Sequence, residues 1–152
     1  MATTAPLRLD VFLIDRLEVV AIAGFRRKRG DIDVDIDVQP QYLRKIDDDR
    51  HHQIVLDVRF KPAKANSAPY KGRIVGRGLF TITESLDEAD VARYVLHNGS
   101  AILLGLLRAQ VAQTTALARW GQFLIPPINL VDTFAKAAAS SEDASKHAGG
   151  QQ

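Results

Sequence analysis

The chain has no cysteine. That excludes disulfides, thiolate nucleophiles and cysteine-ligated zinc, and it is compatible with a reducing cytosol. Aromatic residues are few: one tryptophan, three tyrosines and six phenylalanines in 152 residues. None interleaves with a basic patch as base-stacking modules require. Charge of one sign is also scarce. The net charge of +2 is too small to argue for nucleic acid by itself. Long apolar runs are missing too, since residues 19–23 and 101–107 are the longest clusters and a bilayer span needs roughly 20 residues. Arg8, Asp10, Asp15 and Arg16 stand where a signal peptide would be uninterruptedly apolar. The expectation is a soluble, cytoplasmic protein with no membrane insertion.

Catalytic signatures are missing as well. There is no Gly-x-Ser-x-Gly elbow, no phosphate-binding glycine loop and no His-Glu-x-x-His. No pair of acids stands out for acid–base work. The expectation is a protein that is not an enzyme and needs no cofactor. With 46% hydrophobic and 25% charged residues, it has the composition of one globular domain with a real core.

Residues 7–25 read as one long strand. Leu7, Leu9, Val11 and Leu13 share a face, Asp15 interrupts it, and Leu17, Val19 and Ala21 resume it, which marks a bulge. Arg26-Arg27-Lys28-Arg29-Gly30 makes a basic turn. In residues 31–38, Ile32, Val34, Ile36 and Val38 alternate with Asp31, Asp33, Asp35 and Asp37, and Pro40 should end that strand. Residues 42–52 are polar and ambiguous, with a turn at 47–49. Ile54, Leu56, Val58 and Phe60 mark a third strand, and residues 73–83 a fourth, bent by Gly72, Gly76 and Gly78.

Ser85 and Glu88 have capping-box spacing, so a short helix should run to about Leu96 and stop at Asn98-Gly99. A main helix follows from 101 to Arg119 or Trp120, then a Pro126-Pro127 loop and a short helix over 131–139. Residues 1–6 and 140–152 should be flexible tails around a domain of residues 7–139. The fold class is α+β: a four-stranded antiparallel meander with a short, a long and a C-terminal helix on one face. The other face should carry aspartates and arginines and meet water.

Most polar clusters have an ordinary explanation. Same-face strand neighbours lie roughly 7 Å apart, so the Asp31/Asp33/Asp35/Asp37 comb suits a solvated face opposite arginines better than a cation site. The basic turn suits charge compensation better than phosphate binding. His51 and His52 are adjacent and point to opposite faces, while His97 and His147 have no partner at ligand spacing. No metal site is expected.

Two apolar segments do suggest a partner. Residues 101–118 carry a single charge, Arg108, and Trp120-Gly121-Gln122-Phe123-Leu124-Ile125-Pro126-Pro127-Ile128 follows. A short chain cannot easily bury both. Ile102, Leu104, Leu107, Arg108 and Val111 are the candidate oligomer interface. Trp120, Phe123, Leu124, Ile125 and Ile128 are the candidate polypeptide-binding residues, with ordinary core closure as the alternative for that loop.

Three stretches carry a family resemblance: Gly78-Leu79-Phe80-Thr81-Ile82; Ala101-Ile102-Leu103-Leu104-Gly105-Leu106-Leu107-Arg108; and Gly121-Gln122-Phe123 leading to Pro127-Ile128-Asn129-Leu130, with Phe134 beyond. The sequence resembles the SecB protein-export chaperones over about residues 7–137. The family reads roughly Gly-Gly-hydrophobic-Phe, Asn-Ile-Leu-Phe-Pro-Tyr-Ala-Arg and Gly-x-Phe…Pro-(Ile/Val)-Asn-Phe…Leu-Phe. Arg108 matches its helix arginine and Asn129 its asparagine after proline.

The resemblance implies a dimer of dimers built through sheets and long helices. It also implies an ATP-independent holdase that binds unfolded polypeptides in apolar grooves and passes secretory precursors to SecA. Gly105-Leu106 replaces the family's Pro-Tyr, and the family's SecA-facing acids fall on Ala21, Phe25 and Arg73. SecA docking should therefore be weak or absent. The rival client is an unstable antitoxin of a toxin–antitoxin module. Rivals from other classes are a small nucleic-acid-binding module using Arg26–Arg29 and an apolar-ligand carrier.

Overall fold

A computed structural model describes residues 1–27, 30, 32–44 and 47–148. Strands β1 (Leu7–Ala21), β2 (Val34–Arg44), β3 (His51–Pro62) and β4 (Tyr70–Ile82) precede helices α1 (Glu88–Thr115) and α2 (Leu130–Ala148). All strand pairs are antiparallel, in the order β1-β4-β3-β2. Only β2, β3 and β4 form a meander; β1 lies beside β4 on the opposite edge, a Greek-key arrangement. The expected four-strand meander is thus corrected. The segment between β1 and β2 is too long for a tight hairpin, and its described ends lie against the β3–β4 loop. Ile22 N–H donates to the Pro69 carbonyl at 2.8 Å and Asp33 N–H to the Ser67 carbonyl at 3.1 Å, tying both ends of the crossover to the β3–β4 loop.

The break in β1 is a pair of bulges, between Leu9 and Val11 and between Ile14 and Arg16. Each leaves an aspartate outside the register, and each carboxylate has a donor on β4: Thr81 for Asp10, Arg77 for Asp15 at 2.9 Å. Pro40 does not end β2, which continues to Arg44 with Pro40 opposite Leu56. An edge strand leaves part of its backbone unpaired, so a missing N–H is tolerated there.

One sheet face holds His52, Ile54, Leu56, Val58 and Phe60 of β3 with Ile74, Phe80 and Ile82 of β4, all buried under Val95, Leu103, Leu107 and Val111 of α1. The outer face carries paired charge. Arg73 donates to both carboxylate oxygens of Asp57, at 3.0 and 2.8 Å, and those bonds hold the Asp57 carboxyl below its usual range. Asp35 lies opposite Lys61 and Asp37 opposite Arg59, which offsets the aspartate comb across strands. Asp31 of the comb, and Lys28 and Arg29 of the basic turn, lie outside the described residues. No group of three metal-ligating side chains occurs among those described.

Among the described residues there are two helices rather than three. The expected short and long helices form one continuous α1, capped at Asp87 without a side-chain bond rather than by a Ser85–Glu88 box. Asn98-Gly99 does not interrupt it because Gly99 lies buried against the sheet. A Cβ there would sit 3.2 Å from both Ile54 and Phe80, so glycine lets the helix approach closely. Gly76 does the same from β4, where a Cβ would meet Leu107 at 2.5 Å. α1 ends at Thr115, earlier than expected, and α2 runs to Ala148, past the expected end at Ala139. The part of the expected tail beyond Ala148 lies outside the described residues. No helix among the described residues is long and apolar enough to cross a membrane.

Candidate functional site

Thr115, fully buried, turns the chain out of α1. Its hydroxyl donates to the Val111 carbonyl at 2.8 Å and accepts the Phe123 N–H at 2.9 Å. The hydroxyl thus takes the place of a backbone partner at the helix end. Gly121, with φ of 78°, completes the turn in a left-handed conformation that side chains disfavour. From there Phe123 and Ile125 enter the core, 3% and 0% exposed, with Phe123 against Phe60 and Tyr70. Arg108 on α1 reaches the same loop, and its Nε donates to the Ile125 carbonyl at 2.7 Å. The loop closes on Asn129, whose Oδ1 accepts the Asp132 N–H at 3.2 Å while its carbonyl accepts the Thr133 N–H and hydroxyl. Asn129 is the N-cap of α2. Such a cap is worth about 1 kcal/mol.

Trp120 lies between this loop and the crossover. Its Nε1 donates to the Ile22 carbonyl at 3.0 Å, and Phe25 packs against the ring edge-to-face at 5.5 Å. The Arg119 guanidinium stands 4.9 Å over the ring. Arg27 donates to the Trp120 carbonyl at 3.4 Å. Trp120 and Phe25 line a cleft of about 470 Å³ that also touches Arg26, Arg27, Asn66 and Gln122. Three segments distant in the chain meet there: the crossover, the β3–β4 loop and the loop after α1.

The five loop residues that the sequence points to are therefore divided. Phe123 and Ile125 are core, Leu124 is 62% exposed, Ile128 is half-buried, and Trp120 alone lines the cleft. Phe25 is a site residue that the sequence pattern does not reveal. It reads as the end of a strand, and its proximity to Trp120 comes from the crossover. Of the helix residues, Leu104, Leu107 and Val111 are buried against the chain's own sheet. Arg108 is partly buried on the loop carbonyl and Ile102 is 38% exposed. The outward face of α1 instead presents Ala101, Gly105 and Ala109 beside Ile102. Their four-residue spacing puts them in one row, a signal that the sequence does contain.

The family described as preprotein translocase subunit SecB matches residues 17–141. The chain belongs to the SecB family. Among solved structures, the chain superposes on the SecB-like chaperone Rv1957 of Mycobacterium tuberculosis, solved in complex with a ChAD peptide from the antitoxin HigA1 (Rv1956). The TM-score is 0.58 at 11% identity, covering 82% of this chain and 88% of that one. A Streptococcus agalactiae protein of unknown function gives a TM-score of 0.47 at 11% identity, covering 80% of this chain and 97% of that one. No curated protein matches the chain.

Proposed function

We propose that this SecB-family chain is an ATP-independent holdase, serving protein export, that binds non-native polypeptide at the Trp120–Phe25 cleft and along exposed Leu124 and half-buried Ile128. The observation that carries the reading is the cleft itself. A tryptophan held by its indole N–H and flanked by a second aromatic ring presents rigid apolar area at low conformational cost, which suits an extended apolar segment. Phe123 and Ile125 support the site from beneath, as the core anchors of its loop.

Assembly is the second part of the proposal. β1 is an edge strand with Val11, Leu13, Leu17 and Val20 exposed, and an uncovered edge of that length invites pairing with a second copy. The Ala101–Gly105–Ala109 row of α1 has the small side chains that allow two helices to approach closely. A dimer or tetramer through these surfaces would cover the apolar area that a monomer leaves in water.

An antitoxin client is the specific second reading. It is favoured by Arg73, which stands where the family resemblance places an acid for SecA and is engaged with Asp57. The peptide bound to Rv1957, from an antitoxin, is of that client class.

Both readings are tested by mixing the protein, without nucleotide, with a chemically unfolded aggregation-prone protein. Light scattering should fall, and Trp120 fluorescence should shift with the unfolded but not the folded form. Unchanged aggregation together with identical spectra would refute the holdase reading.

A further inference from the structure

We propose that the Trp120–Phe25 cleft selects apolar polypeptide segments flanked by aspartate or glutamate; this rests on the holdase reading above. Arg26 and Arg27 are exposed at the cleft wall, and no carboxylate lines it among the described residues. Among the described residues, the arginines of the sheet's outer face are matched. Arg8, Arg16, Arg44, Arg59, Arg73 and Arg77 each face a carboxylate within salt-bridge distance, whereas among the described residues Arg26 and Arg27 face none. Arg119, over the Trp120 ring, adds a third positive charge beside the apolar wall. The remaining polar lining is neutral; Asn66 and Gln122 are suited to bonding a client backbone, while the Ser67 hydroxyl is taken by Lys64 and Asp33.

An apolar wall with unmatched guanidinium groups on its rim is complementary to an apolar core with acidic ends, and it repels the same core with basic ends. A nucleic-acid strand has the right charge but lacks a platform. Single-strand modules stack successive bases on several aromatic rings, whereas the described lining of this cleft offers Trp120 alone, because Phe25 is buried.

The experiment uses the full chain and three synthetic peptides with the same tryptophan-free apolar core and Glu, Gln or Lys flanks. Binding is read by peptide anisotropy and Trp120 fluorescence. At low salt the Glu-flanked peptide should bind about fivefold tighter than the Gln-flanked one, as two exposed ion pairs allow. The Lys-flanked peptide should bind weakest, and the three should converge as salt is raised. In Arg26→Gln/Arg27→Gln the ratio of Glu-flanked to Lys-flanked affinity should fall to about one. Arg26→Gln alone, which removes no hydrogen bond among the described residues, should reduce the preference if the double variant does not fold. Equal or tighter binding of the Lys-flanked peptide would overturn the inference and leave the holdase reading standing. Failure of the Gln-flanked peptide to bind would overturn both. A single-stranded oligonucleotide that displaces the Glu-flanked peptide at about 0.15 M salt, where surface charge is already strongly screened, would overturn it in favour of nucleic acid.

Discussion

Tyr70 and Gly121, far apart in the chain, are joined by a 2.8 Å hydrogen bond from the Tyr70 hydroxyl to the Gly121 carbonyl. The same hydroxyl accepts the Trp120 N–H at 2.9 Å. One buried phenol at the start of β4 thus holds both backbone groups of the turn that presents Trp120.

Tyr70→Phe should therefore loosen the cleft while keeping the ring's packing against Phe123. Leaving a part-buried N–H and C=O without partners should cost about 1–3 kcal/mol. Urea denaturation reads the loss, and red-shifted Trp120 emission in the folded variant reads the loosening. Wild-type emission and midpoint would show that these bonds do not position the turn.

Arg108→Met keeps the apolar stem but removes the donor to the Ile125 carbonyl. A destabilisation of about 1–3 kcal/mol is expected, the usual range for losing a hydrogen bond to a charged donor. Client affinity should fall with it. If sedimentation changes while stability and client affinity do not, Arg108 belongs to a subunit interface instead.

The proposed helix interface is best tested at Gly105, because a Cβ there meets nothing within 4 Å. Gly105→Leu should leave the protomer folded, and even raise helix propensity by about 0.8 kcal/mol, while blocking close approach of a second helix. Sedimentation should show smaller particles at micromolar concentration. By contrast, Leu104→Glu or Leu107→Glu should unfold the protomer, since each would place a charge in its own core. An assembly unaffected by Gly105→Leu would remove this face of α1 from the interface.

Stability should also fall in mild acid. His52 is 3% exposed, and burial holds its imidazole below the ordinary value of 6.5. Its Nδ1 lies 2.7 Å from the Tyr42 hydroxyl and its Nε2 3.1 Å from the Asp49 carbonyl. A neutral ring satisfies both, with Nε2–H donating and Nδ1 accepting. A depressed pKa means that the unfolded chain binds the proton first. The stabilisation is therefore complete above pH ~6.5 and is lost as pH falls through the folded value. The urea midpoint should drop between pH 7.5 and 5.5, and His52→Gln should flatten that drop. Equal midpoints in the native protein would contradict a neutral buried His52.

SecA should bind weakly or not at all. Arg73 is engaged with Asp57, and Phe25, 8% exposed, is packed on Trp120. Neither presents a carboxylate to a basic partner. Arg73→Glu together with Ala21→Asp should raise SecA affinity in a pull-down or titration. Phe25→Glu should instead disrupt the cleft. Tight binding by the unaltered chain would overturn this expectation and tie its export role to SecA.

Local chemistry makes much of this protein legible in its sequence. Period-two alternation over Ile54–Phe60 marks the buried face of β3, and Asp15 marks a break in β1 because a charge on an apolar face forces a register change. The nearly uncharged run after Ala101 marks a helix, one side of which lies buried on the sheet. Tertiary contact decided the rest. Gly99 reads as a stop signal from its missing side chain, yet that same lack lets α1 pass within contact of Ile54 and Phe80. Pro40 reads as a strand end and is harmless because β2 lies at an edge. The pairing of β1 with β4, and the meeting of Phe25 with Trp120, depend on where the chain leaves β1 at Ile22, whose N–H bonds Pro69 and whose carbonyl accepts the Trp120 indole. Periodicity reports which face of an element is buried, but it has no information about which neighbour buries it.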